Sequence, residues 1–247
     1  MSQSVKPVML ITGGSRGIGA AIARAASAAG YTTAITFAHS TAAADELVAS
    51  GAVDLAVRGD AGDEASAVAT FAQVVQTFGR VDALVNNAGI AGGYGGIGCV
   101  TGEMLARLWA VNVSGPFLYA REAVGHMSTA NGGVGGSIVN ISSKAAVLGG
   151  GGEWIHYAAS KGALETMTTG LARETAAVGI RVNAVRPGLI ETDFDTALAP
   201  GRADRLRSSI PMQRSGTAAE VAAAVLWLCS DAASYTTGSF VDVSGGR

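Results

Sequence analysis

Apolar and β-branched runs of four to six residues alternate with longer, Ala-rich stretches of helical period along nearly the whole chain. The runs at 8–12, 32–37, 54–58, 81–85, 137–142, 181–186 and 240–243 predict strands. Between them the spacing predicts helices over 20–29, 41–50, 63–78, 105–127 and 157–178, with Gly30, Gly51, Gly79 and Gly179 as stops. The 105–127 helix is expected to be interrupted near Gly115 and Pro116. A last helix starts at Thr217, where Thr217 and Glu220 have the spacing of a capping box.

Strand, helix, strand, repeated in this way, demands a parallel sheet with helices on both faces. Right-handed crossovers then make it a doubly wound α/β sheet, whose ligands lie beyond the C-terminal strand ends. That edge is where the glycines gather, at 13–19, 89–98, 149–152 and Gly188. The chain has 35 glycines, about twice the usual share, and their clustering makes the excess architectural.

The 247 residues suit one domain, read here as spanning 1–247. A hydrophobic share of 49% against 15% charged excludes a disordered chain. Net charge is −2 with no basic stripe, which argues against a nucleic-acid partner. The apolar stretch at 221–229 is nine residues, about half a membrane span. Four consecutive apolar residues near the start are too few for a signal peptide. A cytoplasmic protein without a membrane partner is therefore expected. Cys99 and Cys229 lie far apart with no partnered His, so isolated thiols are expected rather than a long-range disulfide, and no metal site is.

After the first strand comes Thr12-Gly13-Gly14-Ser15-Arg16-Gly17-Ile18-Gly19, spaced GxxxGxG and opening into a helix. Glycines permit the tight turn and let a pyrophosphate approach backbone N–H groups at a helix N-terminus. Sites preferring NAD place a carboxylate about 20 residues on, and here the second strand ends Phe37-Ala38-His39-Ser40. Arg16 in the turn can meet a 2′-phosphate through paired hydrogen bonds. NADP(H) is therefore expected over NAD(H). Asp60, just past the third strand, is placed to accept from an adenine amino group.

Tyr157 and Lys161 stand four apart on an expected helix and share a face. A phenol is a poor base near neutrality, with a reference pKa of about 10. A cation at ~4 Å in an effective dielectric near 20 contributes up to ~4 kcal/mol, enough to lower that value by ~3 units.

With these residues in view, the chain resembles the short-chain dehydrogenase/reductase family, from Val8 to Gly246. Thr12 to Gly19 resembles its TGxxxGxG turn, Asn86-Asn87-Ala88-Gly89 its NNAG motif, and Tyr157 to Lys161 its YxxxK pair. Asn112 falls at its helix asparagine, Ser143 at its catalytic serine, and Arg186-Pro187-Gly188 at the turn beside the nicotinamide, with Thr192 as the hydroxyl meeting the carboxamide.

The resemblance implies a Rossmann-type fold and an NADP(H)-dependent oxidoreductase interconverting a secondary alcohol and a ketone or aldehyde. Ser143 would hold the substrate oxygen, Tyr157 exchange a proton with it, Lys161 lower the phenol pKa and hold the ribose, and Asn112 anchor a relay water. The cofactor would run past Gly13, Ser15, Arg16, Gly17, Ile18 and Gly19, then His39, Asp60, Ala61, Asn87, Ala88 and Gly89. It would end against Tyr157, Lys161, Pro187, Gly188, Ile190 and Thr192.

Thirteen residues separate Ser143 from Tyr157 where the family usually has twelve. The loop 149–152 is expected to absorb the extra one, and Ser142 is the alternative hydroxyl. Glu153, Trp154 and His156 are candidate substrate contacts, with a helix-start position facing solvent the favoured expectation for His156. The stretch 192–214 falls at the family's substrate lid, with Arg202, Arg205, Arg207 and Arg214 offset by Asp193, Asp195 and Asp204; these arginines are expected on a solvated helix face, the alternative being contact with a phosphate or carrier-bound acyl group. The resemblance also implies a homotetramer. It does not choose between sugar dehydrogenases and 3-oxoacyl reductases. The competing readings are an NAD-linked sugar or polyol dehydrogenase, and a nucleotide-sensing protein, which the presence of both Tyr157 and Lys161 disfavours.

Overall fold

The computed structural model describes residues 6–192 and 201–247. Asp193 and Asp195 of the expected lid lie outside the described residues. The strands are β1 (Val8–Ile11), β2 (Thr32–Phe37), β3 (Leu55–Arg58), β4 (Ala83–Asn86), β5 (Gly136–Ile141), β6 (Ile180–Pro187) and β7 (Phe240–Val243). They form one sheet in the order β3-β2-β1-β4-β5-β6-β7, every neighbouring pair parallel. The expected strands are all present, their ends shifted by one or two residues at most.

β1 explains why such a strand reads as an unbroken apolar run. Met9 and Ile11 enter one core, Val8 and Leu10 the other, because helices cover both faces. The first core lies under α1 (Gly17–Ala28), α2 (Thr41–Ala49) and α9 (Ala218–Cys229). The second lies under α3 (Glu64–Phe78), α5 (Gly115–Met127) and α7 (Ile155–Thr175), where Phe71, Tyr119, Leu164 and Met167 are buried. The capping box of α9 forms as expected: the Thr217 hydroxyl accepts from the Glu220 amide, and the Glu220 carboxylate from the Thr217 amide at 2.8 Å.

Three helices depart from expectation. α1 begins at Gly17, so the last two glycines of the turn lie inside its first turn. α7 begins at Ile155, two residues ahead of Tyr157. The expected 105–127 helix is divided into α4 (Gly102–Trp109), a π turn at Ala110–Ser114, and α5. Pro116 has no N–H to offer the carbonyl of Asn112 and its ring crowds that carbonyl, so the ladder loosens one turn earlier. Four short elements were not expected: α6 (Ala145–Leu148) and 3-10 turns at Ile97–Cys99, Thr129–Asn131 and Asp231–Ala233. In the stretch expected as a lid, α8 (Arg202–Arg207) precedes α9.

Strand order reverses at β1, which has β2 on one side and β4 on the other. The crevice beyond the strand ends at such a switch point is where these sheets take ligands.

Candidate active site

The turns after β1, β4, β5 and β6 all open at that edge, around a cavity of about 470 Å³. Its lining runs from Gly13 through Gly89 and Ser143 to Tyr157, Gly188, Arg202 and Arg247.

At one end the glycine turn forms a cradle. Gly17 holds φ +53, which L side chains rarely adopt, and Arg16 before it is extended. A Cβ on Gly19 would lie 2.4 Å from the Gly13 carbonyl oxygen and 2.6 Å from the Asn87 amide nitrogen. Asn87 uses that amide to bind the carbonyls of Thr12 and Gly13 at 3.0 and 2.9 Å, which fastens the turn to β4. The Thr12 hydroxyl accepts from the amides of Asn87 and Ala88, both at 3.0 Å. α1 has no side-chain cap and no acidic residue in its first turn, so its N-terminus presents bare N–H groups to an anion. These features fit a dinucleotide pyrophosphate.

Every residue expected to hold the cofactor lines this cavity: Gly13 and Ser15 through Gly19, His39, Asp60, Ala61, Asn87 to Gly89, Tyr157, Lys161, Pro187, Gly188, Ile190 and Thr192. At the far end β2 stops in Phe37, Ala38, His39 and Ser40, without a carboxylate, and Arg16 shares the lining. Asp60 has a partner the sequence did not suggest: Arg107 of α4 reaches its Oδ2 at 2.8 Å, and Gly62 donates to Oδ1 at 2.9 Å. Burial raises the Asp60 pKa, but those hydrogen bonds outweigh it and hold the carboxyl below the usual range.

At the other end, α7 carries Tyr157 and Lys161 on one face. The Lys161 ammonium lies 5.7 Å from the Tyr157 ring centroid and donates to the Ile141 carbonyl at 2.7 Å. It is buried, and burial lowers its pKa to about 8. Asn112 stands behind the cavity rather than in its lining. Its amide exchanges two 2.8 Å hydrogen bonds with the Ile90 backbone and donates to the Ser160 hydroxyl at 3.0 Å. A Cβ on Gly89 would lie 3.4 Å from Lys161 Nζ and 3.5 Å from Asn112 Oδ1, so all three groups meet at one point.

The two serines are sorted by their hydrogen bonds. The Ser142 hydroxyl is buried and donates to Glu165 Oε1 at 2.8 Å. Ser143 lines the cavity, and its oxygen accepts from the Ala145 amide at 3.1 Å, which leaves its O–H free to be donated. Gly149, Gly150 and Gly152 all hold positive φ in the loop between α6 and α7.

Glu153 and Trp154 line the cavity together with Tyr157. Two expectations need correction. Arg202 does not face solvent: it is buried over the Trp154 ring at 4.5 Å and paired with Glu153 Oε2 at 2.8 Å, whereas Arg205, Arg207 and Arg214 are exposed. His156 is neither solvated nor in the lining. It is 6% exposed, its ring packs beside Gly92, and both ring nitrogens lack a hydrogen-bond partner. Helix α7 starts earlier than expected, so His156 points inward. Cys99 and Cys229 are free thiols. No described helix is long and apolar enough to cross a membrane.

Burial of Lys161 has a measurable consequence in the cofactor-free protein. Its folded pKa of about 8 lies below the ordinary 10.5, so below pH 8 the fold carries the full cost of a buried cation. Between those values the folded chain sheds the proton first and stability climbs. Relative to wild type, Lys161→Met therefore loses on the order of 3 kcal/mol of advantage across that window. Tyr31 and Cys229, each pushed up to about 12 by burial, titrate in both proteins and cancel. Urea unfolding over a pH series checks this, and parallel curves would refute it.

A doubly wound sheet with this cradle and this Tyr–Lys face defines a dinucleotide-dependent oxidoreductase. The family description Enoyl-(Acyl carrier protein) reductase matches residues 13–247, and the chain belongs to the short-chain dehydrogenase/reductase family, whose members depend on NAD(P). It is 49% identical over 245 residues to the oxidoreductase YgfF of Escherichia coli (strain K12), covering 97% of this chain and 99% of that protein. Among solved structures, a blue fluorescent protein from a metagenomic library in complex with NADPH shares 37% identity at TM-score 0.88, covering 99% of both chains. A 3-ketoacyl-(acyl-carrier-protein) reductase from Brucella melitensis complexed with NADH shares 35% at TM-score 0.90, again over 99% of both.

Proposed function

We propose that this enzyme is NADP(H)-dependent and interconverts a secondary alcohol with a ketone or aldehyde. The carrying observation is that Ser143, Tyr157 and Lys161 line the same cavity as the glycine cradle, while the Ser142 hydroxyl is committed to Glu165. Pro187 and Gly188 would hold the nicotinamide, which would supply or receive hydride. The Ser143 hydroxyl orients the substrate oxygen and steadies the charge that develops on it. Tyr157 donates a proton to that oxygen in reduction and accepts one in oxidation. Lys161 keeps a cation beside the phenol and hydrogen-bonds the ribose hydroxyls. Asn112 holds the Ile90 turn and anchors the water that relays protons to Lys161.

NADP preference is supported by Arg16 and by the carboxylate-free end of β2. The same reading places the enzyme in the cytoplasm as a homotetramer built through α4, α5 and α7, where Trp109 and Phe117 are exposed apolar side chains. The NADH-bound neighbour and the sugar-dehydrogenase likeness keep an NAD-linked sugar or polyol dehydrogenase as the second reading. Oxidation of NADPH and NADH across a panel of ketones, diketones, aldehydes and sugars separates them. The expected result is a kcat/KM at least roughly tenfold higher with NADPH, most of it lost in Arg16→Ala, which removes a two-bond phosphate contact. Equal or better use of NADH would overturn the preference.

A further inference from the structure

A charged cluster centred on Glu165 and Arg186, neither of which lines the cavity, reaches the lining through Ser142 and Lys144. Glu165, one helical turn beyond Lys161, forms a two-pronged pair with Arg186: Oε1 accepts from Nε at 2.7 Å and Oε2 from Nη2 at 2.6 Å. Both side chains are largely buried, at 13% and 19% exposure. Glu165 Oε1 also receives the Ser142 hydroxyl at 2.8 Å. Arg186 lies 4.4 Å over the Phe240 ring and 3.7 Å from Asp242, and Asp242 in turn receives Lys144 Nζ at 2.6 Å. The Lys144 amide meanwhile donates to the Pro187 carbonyl at 2.9 Å.

The two neighbours of Ser143 in sequence, Ser142 and Lys144, are therefore each tied by side chain into one network. The same network grips α7 just past Lys161 and β6 just before Pro187 and Gly188. Two-pronged Arg–carboxylate pairs fix orientation as well as distance, and a charge pair this shielded is a poor device for stability alone.

We propose that Glu165 and Arg186 are positioning residues that set Ser143 relative to Tyr157 and the Pro187–Gly188 turn. The proposal rests on the reading of Ser143 and Tyr157 given above. The pair touches no reacting atom. It acts through the loop that carries Ser143, and a displacement of about 1 Å there costs up to roughly 100-fold in rate.

The test compares wild type with Glu165→Leu, with the double variant Glu165→Leu/Arg186→Met, and with Ser142→Ala. Glu165→Leu strands a shielded guanidinium, so both Tm and kcat fall. The double variant removes both charges and regains most of the Tm, yet its kcat stays down by roughly 10- to 100-fold. Its NADPH Kd changes less than about twofold, because the cradle lies at the other end of the cavity. The isotope effect with 4-deuterated NADPH rises, since hydride transfer becomes the slow step. Ser142→Ala lowers kcat in the same sense with little change in Tm.

A double variant that regains kcat along with Tm overturns the proposal. So does a lower kcat with an unchanged isotope effect, which is what a smaller active fraction gives. If the wild type turns over no carbonyl or alcohol with either cofactor, the proposed function fails, and crystal structures still decide the network. Ser143 displaced in the double variant supports it, and Ser143 unmoved refutes it.

Discussion

Replacing Tyr157 with Phe is expected to lower kcat/KM by 10²- to 10⁴-fold or more, the span general acid–base catalysis usually supplies. Only the phenolic oxygen is lost. The ring keeps its place beside Trp154, whose centroid is 5.9 Å away, and Lys161 keeps its bond to the Ile141 carbonyl. Folding and cofactor binding should therefore change little, with the NADPH Kd within a few-fold of wild type. Fluorescence titration of NADPH beside steady-state rates separates the two effects. A mutant that keeps even a tenth of the activity would remove Tyr157 as the acid and base.

The second large effect is expected at the cradle. In Gly19→Ala the new methyl would lie 2.4 Å from the Gly13 oxygen, 2.6 Å from the Asn87 amide and 2.9 Å from the Gly14 Cα. Two of those three atoms are backbone in the turn itself, and Asn87 is held by two carbonyls, so the turn must move as a unit. Overpacking of this kind costs about 1–3 kcal/mol of stability. Cofactor affinity should suffer more, falling at least roughly 100-fold, because the N–H groups that meet the pyrophosphate are displaced. Gly102→Ala is the control: nothing lies within 4 Å of its Cβ position, and it opens α4. Alanine there should match or exceed wild-type stability. Calorimetric titration with NADPH and thermal unfolding check both variants, and an undiminished affinity in Gly19→Ala would refute the cradle.

Much of the fold was legible because strands covered on both faces read as apolar runs and glycines stop the helices between them. The π turn was partly legible: Pro116 marks a break, but the break falls a turn earlier, where the lost hydrogen bond belongs. The cradle and the Tyr157–Lys161 face were legible because each is local, set by spacing within one turn or one helix.

What could not be read are partners that meet only in three dimensions. Arg107 reaches Asp60 from α4, and Arg202 folds back onto Trp154. His156 is buried by the Gly92 turn, which no pattern around it announces. Arg247 lines the cavity although it stands 86 positions beyond Lys161 in sequence. Glu165 left a usable signal. It continues the four-residue spacing of Tyr157 and Lys161, so the three share one face of α7.

The position of β1 sets the order in which this molecule can come into being. Its register partner on one side, Ala83 opposite Met9, is synthesised some seventy residues later. Its helix α1 shares a core with α9, near the opposite end of the chain. While a ribosome is still making the middle of the protein, the first βαβ unit has one apolar helix face uncovered. Contacts this distant in sequence slow closure of the native structure, and exposed apolar surface during that wait invites association with other nascent chains. The most buried strand is the first one made and among the last to be enclosed.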